Sequence, residues 1–194
     1  MILSNVAIQQ CLDEGSLVIE PEPSPRRPGS GQACPYQTSS VDLQLGEEIA
    51  FFRDEQQAVI DLRNGDFLSR VGFQFETTLL KDDEPFILKP GRLVLGRTFE
   101  RVELPIREEK TCLAARVEGR SSHARCGLLV HFTAPTIHAG FAGSIALELI
   151  NLGPYSLALY PKTPICQLIV ETVEGVPFRN DSQFQAQTRP GGLS

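Results

Sequence analysis

Short runs in which apolar and polar residues alternate, each closed by glycine or proline, fill most of this chain. Val41, Leu43 and Leu45 alternate with Asp42 and Gln44. Phe86-Ile87-Leu88 meets a turn at Pro90-Gly91, and Leu93 and Leu95 alternate beyond it. Leu113, Ala115 and Val117 follow, then Ile145, Leu147 and Leu149, then Leu157 and Leu159. Between them recur Gly46, Asn64-Gly65, Pro105, Gly140, Gly143, Gly153-Pro154, Pro161 and Pro164. A period of two repeated over many short segments predicts a mainly β domain: a sandwich, jelly roll or distorted barrel.

Two short helices fit around that pattern. Ser4 can cap the first, with Ile8, Cys11 and Leu12 on one face and Gly15 as its stop. The second is expected over residues 121–125. Leu17-Val18-Ile19 reads as a strand. Residues 21–35 hold Pro21, Pro23, Pro25, Pro28 and Pro35 with Gly29 and Gly31, so an exposed loop is expected there. One domain over residues 1–173 follows, with a polar tail at 174–194.

At 194 residues the chain is long enough for one domain with a substantial core. No apolar run reaches the roughly 18 residues of a membrane span, and no basic region precedes an apolar one at the start. A net charge of −6 without a basic block argues against nucleic-acid binding. Cys11, Cys34, Cys112, Cys126 and Cys166 are odd in number and never form a C-x-x-C pair. Free thiols in a reducing compartment, the cytoplasm, are therefore expected, with neither a disulfide framework nor a zinc knuckle.

Charge is distributed unevenly. Between Cys126 and Pro161 the sole Asp, Glu, Lys or Arg is Glu148, although 22% of the whole chain is charged. Alternation puts Ala146, Glu148 and Ile150 on the face opposite Ile145, Leu147 and Leu149. A carboxylate there either faces water, forms a structural ion pair, or is desolvated and raised toward neutral pKa as a general acid/base. Just upstream, Arg116, Glu118, Arg120, Ser121, Ser122, His123 and Arg125 form the densest polar cluster. Gly119-Arg120-Ser121-Ser122 can offer N–H, O–H and guanidinium donors to a phosphate chain; a capped turn is the plainer alternative. No Walker loop, G-x-S-x-G elbow, H-E-x-x-H or zinc-deaminase signature occurs. His131, in Leu128-Leu129-Val130-His131-Phe132, reads as a hydrogen-bonded core or interface histidine.

Taken in order, these segments resemble the dCTP deaminase family, relatives of the trimeric dUTPases. The resemblance runs from Met1-Ile2-Leu3-Ser4 and Leu17-Val18-Ile19-Glu20-Pro21 through Ser39-Ser40-Val41-Asp42-Leu43-Gln44-Leu45-Gly46 and Leu88-Lys89-Pro90-Gly91. Its centre is Glu118-Gly119-Arg120-Ser121-Ser122-His123-Ala124-Arg125-Cys126-Gly127-Leu128. It continues through Val130-His131-Phe132-Thr133-Ala134, Gly140-Phe141-Ala142-Gly143, Leu147-Glu148-Leu149 and Ile165-Cys166-Gln167-Leu168, to Phe184-Gln185-Ala186-Gln187.

The resemblance implies a dUTPase-like β fold and zinc-free deamination of dCTP to dUTP and ammonia. Glu148 would activate water at cytosine C4, Ser121 and Arg125 would position it, and the Ala134 backbone would help hold the base. Arg120, Ser121 and Ser122 would face the triphosphate, the backbone at Ala146 and Leu147 the pyrimidine, and Phe141 the deoxyribose. His123, Ala124, His138, Gln167, Phe178, Gln183 and Gln187 complete the implied nucleotide-binding set. Mg²⁺ would ride on the phosphates, the tail would close as a lid, and homotrimers would share their active sites. The chain departs from the family pattern at His138, where Asp is usual, which argues against dUTP hydrolysis. Pro135, Phe178, Gln183 and Ala186 also depart from it. The alternatives are altered nucleotide specificity, a bifunctional deaminase–diphosphatase, and a non-catalytic nucleotide-binding trimer.

Overall fold

The computed structural model describes residues 1–29, 31–52, 63, 75–107 and 111–178. Helix α1 (Asn5–Asp13) begins where Ser4 Oγ accepts the Ala7 N–H at 3.3 Å and ends before Gly15, at φ +64°. The expected alternation then appears as strands: β1 (Val18–Glu20), β2 (Tyr36–Gln37), β3 (Ser40–Gln44), β4 (Glu48–Phe52), β5 (Phe75–Leu79) and β6 (Phe86–Leu88). After them come β7 (Leu93–Glu103), β8 (Cys112–Gly119), helix α2 (Ser121–Ala124), β9 (Leu128–Val130), β10 (Thr136–Ile137), β11 (Ala142–Asn151), β12 (Leu157–Leu159) and β13 (Pro164–Val173). The expected turn at Asn64-Gly65 lies outside the described residues.

The strands pair antiparallel in two large sheets. One runs β5-β4-β7-β11-β9 with β1 also on β7; the other runs β10-β8-β13-β3-β2, and β12-β6 form a small third. Alternation aims one face of each large sheet into a shared apolar core. Ile49, Val102, Ile145, Leu147 and Leu149 of the first meet Val41, Leu43, Val117, Leu168 and Val170 of the second. Each fully buried aliphatic side chain there contributes roughly 1.5–3 kcal/mol.

Two local features set the site. Strand β11 alternates strictly between buried and half-buried residues, so Ala146, Glu148 and Ile150 share one face as expected, and that face is the outer one. Its register on β7 shifts between Ser144 and Ala146. Thr98 closes that irregularity from inside, with its Oγ1 donating to the Glu100 carbonyl at 2.7 Å and accepting the Ile145 N–H at 2.9 Å.

The second feature departs from simple alternation. Asp42, polar in an alternating strand, is 6% exposed. Pro21, Glu22, Pro23, Ser24, Ala33, Cys34 and Pro35 line a cavity with it, so the proline-rich segment roofs that face of β3. The segment is itself pinned: Arg26 pairs with Asp13 of α1 at 2.8 Å and with Glu22 at 2.5 Å, and Gln9 Nε2 donates to the Arg26 carbonyl at 2.6 Å. It is a loop, as its prolines dictate, yet one that covers structure beneath it.

Candidate functional site

Glu148 stands on β11 opposite the end of β9. The register that sets Leu149 against Val130 sets Glu148 against His131, whose N–H donates to the Glu148 carbonyl at 2.9 Å. His131 Nδ1 also lies 2.8 Å from Glu148 Oε2. That contact is short but off-line, since no nitrogen of the buried ring makes a well-directed hydrogen bond. His131 is 8% exposed and holds φ +53°, a left-handed backbone uncommon outside glycine.

This pairing changes the electrostatics expected at Glu148. Burial pushes its carboxyl up, but the close approach of His131, together with a backbone hydrogen bond to the carboxyl, outweighs burial and leaves it below the ordinary value. Of the alternatives left open by the sequence, a desolvated carboxyl raised toward neutrality does not describe Glu148: beside its histidine partner it is held as the anion, which is the form of a base. Its side chain is 39% exposed, so it is open to a small molecule. His131, read from the sequence as a hydrogen-bonded core or interface histidine, is buried and is also the titratable neighbour of Glu148. The available signal was positional, namely two titratable residues opposite each other in adjacent strands.

The polar cluster folds into β8, α2 and their junction. Arg116 is committed to Glu171 at 2.8 Å, with Glu118 more distant at 3.8 Å, and braces β8 against β13. Arg120 precedes α2 in extended backbone; Ser121, Ser122, Ala124 and Arg125 are exposed around the helix. Among the described residues no hydrogen bond or ion pair joins Ser121 or Arg125 to Glu148 within the chain. His123 is half-buried; burial and then the Arg120 charge hold its imidazole below the ordinary value, against the pull of Asp42.

Close packing seats the end of α2. Gly127 adopts φ +92°, and a Cβ on it would lie 2.2 Å from the Gly153 nitrogen. The Leu152 N–H donates to the Gly127 carbonyl at 2.8 Å. Buried Asn151 fixes the other side, donating to the Leu88 and Tyr155 carbonyls at 2.9 and 2.8 Å and accepting the Gly153 N–H at 2.9 Å. The Arg125-bearing turn thus rests on the C-terminal end of the strand that carries Glu148.

The remaining candidates are spread more widely. Ala134 is exposed between β9 and β10, and His138 is exposed just after β10. Phe141 is half-buried and packs against the core, while Leu147 is fully buried, leaving only its backbone for a ligand. Gln167 on β13 donates from Nε2 to Asp42 Oδ1 at 2.9 Å. Phe178 is 89% exposed, and Gln183 and Gln187 lie outside the described residues. Among the described residues no group of three or more His, Cys, Asp or Glu is placed to hold a metal ion, and no helix is long and apolar enough to cross a membrane.

Comparison with known proteins bears on this geometry. A family model described as dCTP deaminase-like matches residues 2–173. A Methanosphaera stadtmanae protein named dCTP deaminase, dUMP-forming, is 37% identical, covering 97% of this chain and 91% of its own. A protein of the same name from Dictyoglomus thermophilum is 41% identical, covering 87% of this chain and 78% of its own. The dCTP deaminase of Aeromonas hydrophila is 39% identical over 100% of this chain and 97% of its own. The crystal structure of 2′-deoxycytidine 5′-triphosphate deaminase from Agrobacterium tumefaciens aligns with a TM-score of 0.60 at 19% identity, a likeness of fold. It covers 87% of this chain and 47% of that one.

Proposed function

Because this chain belongs to the dCTP deaminase-like family, we propose that it hydrolyses the 4-amino group of dCTP. Water oxygen bonds to cytosine C4 as the C4=N3 double bond opens and N3 takes a proton. The exocyclic C4–N bond then breaks as C4=O forms, and the second water proton leaves with the amine as ammonia. Glu148 takes the protons from water and delivers them to N3 and the departing nitrogen. The observation that carries this reading is Glu148 itself: the lone charged residue from Cys126 to Pro161, half-buried on β11 and held anionic by His131.

Ser121 and Arg125 position the water and stabilise charge developing at C4. Arg120, Ser122 and the backbone of His123 and Ala124 take the triphosphate; Ala134, Ala146 and Leu147 present backbone to the base. Phe141 and His138 lie toward the sugar, Gln167 toward the nucleotide, and Phe178, Gln183 and Gln187 belong to a closing tail. Exposed Ser121 and Arg125, making no bond to Glu148 within one chain, suit a homotrimer whose sites are completed by a neighbouring subunit. With no acidic cluster among the described residues, Mg²⁺ would arrive on the triphosphate, neutralising its charge. Catalysis proceeds without zinc, in the cytoplasm.

We assign dUTP as the product, since His138 supplies no fixed carboxylate at the sugar. The dUMP-forming reading is favoured by the names of the Methanosphaera and Dictyoglomus relatives. Ammonia release from dCTP by zinc-stripped protein, with chromatography of the nucleotide, tests both. No ammonia from dCTP, CTP or dCMP overturns the deaminase reading, and dUMP with diphosphate overturns the dUTP assignment.

A further inference from the structure

Asp42 is not part of the nucleotide-facing set, yet it touches two members of it. Its Oδ1 accepts Gln167 Nε2 at 2.9 Å, and its Oδ2 lies 3.3 Å from Arg120 Nη2. The Asp42 side chain is 7% exposed, whereas that of Arg120 is 30% exposed. The third strut is the Pro164 carbonyl, 3.4 Å from Arg120 Nη1. Gln37 Nε2 adds a weak contact to Oδ2 at 3.5 Å.

The chemistry of these contacts is directional. A carboxylate only accepts, so Asp42 turns the amide of Gln167 with its NH₂ inward and its carbonyl outward. A guanidinium carries five N–H donors in a rigid fork. Contacts to Asp42 and Pro164 hold two of its nitrogens, which constrains the plane of the fork and leaves other donors for a ligand. Without the carboxylate, a long side chain would regain its rotamers and lose them again on binding.

We propose that Asp42 is a positioning residue of the nucleotide site, orienting Arg120 toward the phosphate chain and Gln167 as a single unit. The proposal rests on the nucleotide reading above, and its test separates the two. The probe is inorganic tripolyphosphate, followed by calorimetry and as a competitor of dCTP. Asp42→Asn is expected to weaken tripolyphosphate binding and raise KM for dCTP by about tenfold, with kcat changed far less. In an Arg120→Ala background the same change adds less than about twofold, because both act through one contact. A purely structural role predicts a lower melting temperature with unchanged tripolyphosphate affinity, and that result, or additive effects, overturns the proposal. If Asp42→Asn does not fold, Asp42→Glu keeps the charge but shifts it by one methylene. It is expected to raise both constants, and unchanged constants overturn the proposal. A wild-type protein that binds tripolyphosphate but releases no ammonia refutes the deaminase reading while leaving Asp42 testable by calorimetry.

Discussion

His131 and Glu148 face each other across the β9–β11 ladder, joined by a backbone hydrogen bond of 2.9 Å and a side-chain approach of 2.8 Å. Burial alone would favour the neutral acid, and the adjacent imidazole reverses that preference. A base whose anionic form is secured before substrate arrives needs no proton loss at the moment of attack. The left-handed backbone of His131 is tolerable because the surrounding strands over-determine it.

Glu148→Gln keeps the shape of the side chain and removes its proton-accepting anion. Ammonia release from dCTP should fall by at least 10²- to 10⁴-fold, on the order expected for loss of a general base. Steady-state kinetics on zinc-stripped enzyme measure this, with melting temperature as a control for folding.

The pH dependence follows from the same pair. A depressed carboxyl pKa places the acid limb of kcat/KM below the ordinary carboxylate range, and activity is lost only as pH falls through that value. Replacing His131 by Asn leaves burial less opposed, so the limb should move to higher pH. A limb that stays in place, or moves down, contradicts the assigned role of His131.

Glu100 carries the opposite shift. It is 3% exposed, and burial pushes its carboxyl up to about 7, against the hydrogen bond from the Gln44 N–H at 2.9 Å. The folded state therefore holds this proton more tightly than the unfolded chain. The stabilisation is full below the unfolded value and is lost as pH rises through about 7. Glu100→Gln should raise the melting temperature at pH 8, an effect on the order of 3 kcal/mol, and the gain should shrink toward pH 5. Thermal denaturation across pH reads it directly.

Gly127→Ala drives a methyl group into the Gly153 backbone from a left-handed conformation. A loss of about 3 kcal/mol or more is expected in urea denaturation. Any folded protein should be impaired in turnover, because the Arg125 turn is displaced.

Subunit sharing has its own test. Glu148→Gln and Arg125→Ala proteins, each inactive alone, should regain part of the activity when unfolded together and refolded as mixed oligomers. Mixed assemblies without activity would place both residues in one subunit's site.

How much was legible in advance varied with the range of the interaction. Strands β3, β7, β8, β11 and β12, and the caps of α1, follow from local alternation and turn residues, since covalent geometry imposes those periods. The family resemblance rested on ordered motifs and was equally legible. The grouping of Glu148 with Ala146 and Ile150 on one face followed too, because it depends only on which residues flank it in one strand. The partner of Glu148 did not, for His131 lies in a segment whose apolar neighbours mark it for the core.

Asp42 shows the boundary most plainly. Alternation assigned it to a polar face, correctly as far as one strand can say. Whether that face meets water was decided by the proline-rich segment folding over β3 and by Gln167 and Arg120 arriving from β13 and the β8–α2 junction. Residue order alone determined a mainly β domain and an isolated carboxylate on the face of its strand opposite Ile145, Leu147 and Leu149. Tertiary structure decided which carboxylates are buried and what holds them, because desolvation and pairing depend on groups brought near only when distant strands meet.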